Sequence, residues 1–226
     1  MHPPRAIGGN DDGRISAGGR CARLGLRAMA RVSGAQVEFA ATGGVGVAML
    51  IHCTQRLATM LPAVSHEPQA ETSPLGSWHA HLYRIDRRHV VMFCHDETRY
   101  TLYLPGVRKL EFCDLGHWFK DTFLSSLAYM GMPDNQVLRA ELALGPATFD
   151  TCTNRSVLAS LNRMRYRLDT HVLEVADVML LNPMSVNRGL CRYATSRGKT
   201  LRMMDEVMME RVAGLPGSVA VRMPLR

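Results

Sequence analysis

Three runs rich in aromatic and β-branched residues follow one another along the chain, Trp78 to Ile85, Val90 to His95 and Arg99 to Leu104, separated by the polar turns Asp86-Arg87-Arg88-His89 and Asp96-Glu97-Thr98. Such residues suit the pleated, half-buried surface of a strand, and connections this short join antiparallel neighbours. The runs predict a three-stranded meander closed by Pro105-Gly106. The period then changes: Leu115, Trp118, Phe119, Phe123, Leu127 and Met130 recur at three- and four-residue intervals and share a helical face, with Asp114 placed to cap its start and Gly131 its end. A second helix is expected from Asn135 to Leu144, a strand from Ala147 to Thr151, and a helix opened by Thr153 or Asn154 that buries Val157, Leu161, Met164 and Leu168. Asn182-Pro183, Gly189 and Gly198 read as loops before a last helix, Thr200 to Val212. Ahead of the meander, Leu50 to Cys53 reads as a strand and Gln55 to Leu61 as a helix capped by Thr54, and residues 62–76, with three prolines, read as a loop. The expected fold class is α+β, an antiparallel meander packed against several helices, with no internal repeat.

Residues 1 to 48 lack this patterning. They hold ten of the nineteen glycines, six arginines against three acids, and no Lys, Trp or Tyr. Such a composition buries too little apolar surface to offset the entropy of ordering it, so the segment is expected to be a disordered extension or an over-extended start, with ordered pattern beginning at Met49. Residues 49–226 are then one domain, a size that a single core can fill.

The net charge of +7 is spread rather than clustered, so it gives only weak support to a polyanionic partner. Cysteines at 21, 53, 94, 113, 152 and 191 never approach within the spacing of a zinc knuckle or a redox dithiol. Reduced thiols in a cytoplasmic protein are the expected reading. The run Phe39 to Ile51 is too short to cross a bilayer, so no membrane association is expected.

Several strings resemble a known family. Met-Leu-Ile-His-Cys-Thr-Gln-Arg-Leu at 49–57, Ser-Trp-His-Ala-His-Leu at 77–82 with Ile-Asp-Arg-Arg at 85–88, Pro-Gly-Val-Arg-Lys at 105–109, Thr-Asn-Arg-Ser-Val-Leu at 153–158 and Leu-Asn-Pro-Met-Ser at 181–185 look like the successive signatures of the bacterial domain of unknown function 6933. The resemblance spans about residues 49 to 200 and supports Met49 as the natural start. It implies no established activity. The chain departs from the pattern near Cys152, where Lys is expected, and at Arg163, where an acid is expected.

The candidate chemistry is sparse. His79 and His81 share one face of their strand, and His95 could approach from the next, but histidine pairs on sheets are common and no metal is expected. Cys94 and His95 are adjacent on a strand and point to opposite faces, so they cannot pair as nucleophile and base. Thr153-Asn154-Arg155-Ser156 at a helix start could hold an anion through free backbone N–H groups and the Arg155 guanidinium, against the commoner role of a plain cap. Trp78 could stack on a base or a partner's ring, although such residues are usually core. With Arg87 from the second signature and Asn162 from the polar side of the helix, the candidate binding residues are Trp78, His79, His81, Arg87, Asn154, Arg155, Ser156 and Asn162. No phosphate loop, zinc-protease or nucleophile-elbow motif occurs, and no cofactor is expected. The favoured reading is a non-enzymatic module for a protein or nucleic-acid partner; the alternative is an enzyme or binding protein for an anionic small molecule at Asn154.

Overall fold

The computed structural model describes residues 46–173, 175, 177–197 and 200–216. The expectation of a disordered extension or over-extended start falls on residues 1–48, of which 1–45 lie outside the described residues.

The chain opens with β1 (Met49–Cys53) and a single turn of helix, α1 (Gln55–Ala58), shorter than expected. The predicted meander follows as β2 (Trp78–Ile85), β3 (Arg88–His95) and β4 (Thr101–Pro105), all antiparallel. A short helix that the apolar pattern missed, α2 (Lys109–Cys113), leads into α3 (Leu115–Tyr129) and α4 (Asp134–Leu144). Asp114 ends α2 and begins α3 at once, and its side chain makes no cap bond. Then come β5 (Ala147–Asp150) and α5 (Arg155–Leu173).

The sheet is mixed rather than purely antiparallel. Its order is β4-β3-β2-β1-β5, with β1 parallel to both β2 and β5. The reason lies in β1, where Met49, Leu50, Ile51 and Cys53 are all buried, as a strand covered on both faces must be. One face packs Met49, Ile51, Cys53, Trp78 and Phe93 against α1, α3 and α4; the other packs Val90, Met92, Cys94 and Tyr103 against α5. Trp78 is at the centre of the first core, edge-on to Phe119 and Phe123 at 4.8 and 5.2 Å between centroids.

Residues 183–191, expected as loop, form α6 (Pro183–Cys191). Asn182 is its N-cap, accepting from the Met184 and Ser185 N–H groups, and Pro183 occupies the first turn, where a missing N–H costs nothing. This helix covers the β4 edge: the Asn187 side-chain Oδ1 accepts the Tyr103 N–H at 2.6 Å, and the Cys191 thiol donates to the Thr101 backbone carbonyl. At the opposite edge the Ser65 N–H donates to the Phe149 carbonyl, so both exposed strand edges are met by polar groups. A hairpin of β6 (Ala194–Arg197) and β7 (Thr200–Met203) takes the first four residues of the expected last helix, which starts instead at Met204 as α7 (Met204–Ala213).

Candidate functional site

The two parallel neighbours β1 and β5 send their chains to opposite faces. After β1 the chain passes to α1, whose Leu57 joins the Trp78 core; after β5 it passes to α5, whose Val157 and Leu161 join the other. In open α/β sheets such a switch leaves a crevice at the carboxyl ends of the strands, where ligands bind. The residues that end the strands there are polar. His52 lies directly opposite Asp150 on β5 and opposite His79 on β2, all on the α5 face.

Asp150 is 0 % exposed and accepts three hydrogen bonds. His52 Nδ1 lies 2.6 Å from Oδ1, the Cys152 N–H donates to the same oxygen at 3.0 Å, and the Gln69 N–H donates to Oδ2 at 3.2 Å. Surrounded by N–H donors, the side chain takes the acceptor role of a carboxylate, so the hydrogen of the His52 contact belongs to Nδ1. The neutral ring then carries its lone pair on Nε2. His52 is 15 % exposed, and Nε2 lies 4.0 Å from Asp96 Oδ2, itself 23 % exposed.

A second imidazole and carboxylate stand alongside. His79 is 1 % exposed and its ring centroid is 4.8 Å from that of His52. Its Nε2 accepts the backbone N–H of Asn154 at 2.6 Å, which fixes the hydrogen on Nδ1, and Nδ1 donates to Asp96 Oδ1 at 2.6 Å. Ser77 Oγ donates to Asp96 Oδ2 at 2.9 Å. Burial alone would push the Asp96 carboxyl up, but the hydrogen bonds it accepts from His79 and Ser77 outweigh it and hold the group below its ordinary value. Since Asp150 adjoins His52 and the Asn154 amide rests on His79, residues 151–153 bridge the two rings. His79 thus ties the start of α5 to the sheet.

Ligand atoms of His52, His79 and Asp96 lie within 4.8 Å of one another, the one such group of three among the described residues that could hold a metal ion. The hydrogen bonding argues otherwise for His79. A metal on Nδ1 would put a hydrogen on Nε2, facing the Asn154 N–H that already points there. With His79 committed, only His52 Nε2 and Asp96 remain, fewer than a catalytic zinc requires.

The candidate residues read from sequence divide accordingly. His79 and Asn154 meet in this network. Arg155 and Ser156 are exposed at the start of α5, where Ser156 Oγ accepts from Arg99 Nη2 at 3.0 Å and its N–H donates to the Asn154 side chain. His81 shares the face of His79 but bonds Thr54 Oγ1 at 2.9 Å; burial first, and then the Arg56 charge, lowers its pKa. Asn162 is farther along α5 and accepts the Tyr83 hydroxyl. Arg87 is exposed in the β2–β3 turn, at the far end of β2 from His79. Trp78 is fully buried, so its ring is packed in the core and not open to stacking. His95 points to the Trp78 face, so the trio His79, His81 and His95 does not converge. Cys94 is buried and its thiol is pushed up to about 12, chiefly by that burial. His52, Asp96 and Asp150 were missed. The signal available was a histidine inside the apolar string Leu50-Ile51-His52-Cys53, and a charge ending the strand Ala147 to Asp150.

A groove of about 980 Å³ lies elsewhere, along β5, α2 and α3, lined by Phe112, Gly116, His117 and Phe149. Among the described residues its lining shows no hydrogen-bonded acid and base comparable to His52 and Asp150, and chemistry rather than volume places the candidate site at the carboxyl ends of β1 and β5.

An α+β domain with two imidazole–carboxylate pairs at the switch point of a mixed sheet is the class that fold and site define. The family model of a domain of unknown function (DUF6933) matches residues 50–203, and the chain belongs to that family. No curated protein matches the chain.

Proposed function

We propose that residues 49–226 form a bacterial, cytoplasmic binding domain for a small polar molecule, held at the carboxyl ends of β1 and β5, on which His52 takes up or returns a proton. One observation carries this reading: Asp150, fully buried, holds Nδ1–H of His52 and leaves a partly exposed Nε2 lone pair in the crevice. An imidazole positioned in this way is the usual general base. An acidic group on the same molecule would be seated at the first turn of α5, beside Arg155. The compartment fits the five described cysteines, all free thiols.

The test is a thermal-stability screen of the full chain against pooled small polar molecules. Pools should be found that stabilise the protein and lose that effect in both His52→Gln and Asp150→Asn. Stabilisation that survives intact in His52→Gln would overturn the reading.

A second reading, a module for a nucleic-acid or protein partner, is favoured by the solvent face of α5. Arg155, Asn162, Arg163 and Tyr166 line it, and Tyr166 is 77 % exposed. Binding of single-stranded nucleic acid there would fall steeply with salt and weaken in Arg163→Ala, and a flat salt dependence excludes it.

A further inference from the structure

The hydrogens of the crevice can be counted, and the count restricts what fits. His52 Nδ1 is committed to Asp150 and His79 Nδ1 to Asp96. What faces the gap is therefore the lone pair of His52 Nε2 on one side and a carboxylate oxygen, Asp96 Oδ2, on the other, 4.0 Å apart. Two acceptors at that separation do not bond each other. One atom bridging them with ordinary bonds of about 2.8 Å would have its two bonds about 90° apart, near the angle between hydrogens on a tetrahedral nitrogen or oxygen. That atom must supply two hydrogens. An alcohol hydroxyl, an ether or a tertiary amine has at most one; water and a primary amide have two but no charge, and a primary amine in its ammonium form has at least two together with the positive charge that two flanking carboxylates favour.

We infer that the molecule bound at this crevice presents a primary amino group to His52 Nε2 and Asp96 Oδ2. The inference rests on the reading of His52 given under Proposed function and names the chemical class of its ligand. Electrostatics agree, since the carboxylates of Asp96 and Asp150 flank His52 and favour a cationic donor there. Ser77 Oγ, which donates to Asp96 Oδ2, leaves that oxygen a further lone pair for the ligand. The amino group would be held as a donor to both acceptors, with His52 placed to accept a proton from the ammonium form.

The experiment compares three probes of similar size on the full chain, methylammonium, trimethylammonium and methanol, titrated into the millimolar range where single-group contacts register. The observable is the imidazole ¹⁵N signal of His52, with His81, outside the gap, as the internal reference. Methylammonium should shift the His52 signal saturably, and trimethylammonium and methanol, each with one donor hydrogen, should not. Equal shifts from methanol or trimethylammonium would overturn the amino assignment while leaving a His52 ligand site in place. No saturable shift from methylammonium would overturn it also, and the screen with His52→Gln then decides separately whether any ligand uses the ring.

Discussion

Acid should weaken the fold through His95, whose ring is fully buried. The ring packs edge-on to Trp78, donates from Nε2 to the Leu75 carbonyl at 2.6 Å, and accepts the Thr98 N–H on Nδ1 at 3.1 Å. A second proton would have to displace the Thr98 bond inside the core. Burial, and to a smaller extent the nearby Arg211 charge, lowers its pKa from 6.5 to about 4. The unfolded chain therefore takes a proton on this residue near pH 6.5, and the folded chain only near pH 4. The stability due to the neutral ring is complete above 6.5 and is lost as the pH falls through that window. At 1.36 kcal/mol per unit, the interval amounts to about 3 kcal/mol. Urea unfolding of the full chain and of His95→Gln, at pH 7 and pH 4.5, isolates the effect, because carboxylates contribute to both alike. The variant should be less stable at pH 7 and lose less on acidification, by roughly 2 kcal/mol or more over this range. Parallel losses in the two proteins would refute the assignment.

Three further outcomes are expected. His79→Ala removes two buried hydrogen bonds and leaves the Asn154 N–H without its acceptor, so it should cost about 3 kcal/mol in unfolding free energy by urea titration and raise hydrogen exchange at the start of α5; a cost below about 1 kcal/mol would show that the ring does not tie α5 to the sheet. Gly145 has φ +64, and a Cβ there would collide with the Val47 carbonyl oxygen, so Gly145→Ala should lower stability by about 2 kcal/mol or more, and an unchanged melting temperature would contradict the close approach of those two segments. Among the described cysteines, iodoacetamide should alkylate Cys113 and Cys152 in the native protein, while Cys53, Cys94 and Cys191 react only on unfolding; early labelling of Cys94, mapped by mass spectrometry, would contradict its place in the core.

The meander and α5 were legible because their information is local. Trp78 to Ile85 and Val90 to His95 carry strand residues across a turn of few residues, and Val157, Leu161, Met164 and Leu168 define one stripe by spacing alone. The mixed character of the sheet was not local. The two strands that make it mixed, β1 and β5, are five and four residues long and pair across nearly a hundred positions, and no short-range pattern sets that register. The same distance hid the site: His52 and Asp150 are 98 residues apart, and only the parallel pairing of β1 with β5 brings them to 2.6 Å. His79 was picked out, but its partner Asp96 looked like an ordinary turn residue because the Ser77 and His79 bonds that hold it depend on the fold. α6 was misread for a different reason. Asn182-Pro183 suits a helix start as well as a loop, and what decides is the packing of Val186 and Leu190 beneath it. In β7, pairing with β6 overrode a helical spacing of apolar residues and left Leu201 exposed.

Everything said of the crevice depends on where two hydrogens sit. Long-range ¹H–¹⁵N spectra of the labelled full-length chain above pH 7 report the tautomer of each histidine directly. Expected is Nδ1–H with a bare Nε2 for both His52 and His79, the less common form of the free side chain. A spectrum placing the hydrogen of His52 on Nε2 would leave no lone pair facing Asp96 and would contradict the assignment of this crevice as a proton-accepting ligand site.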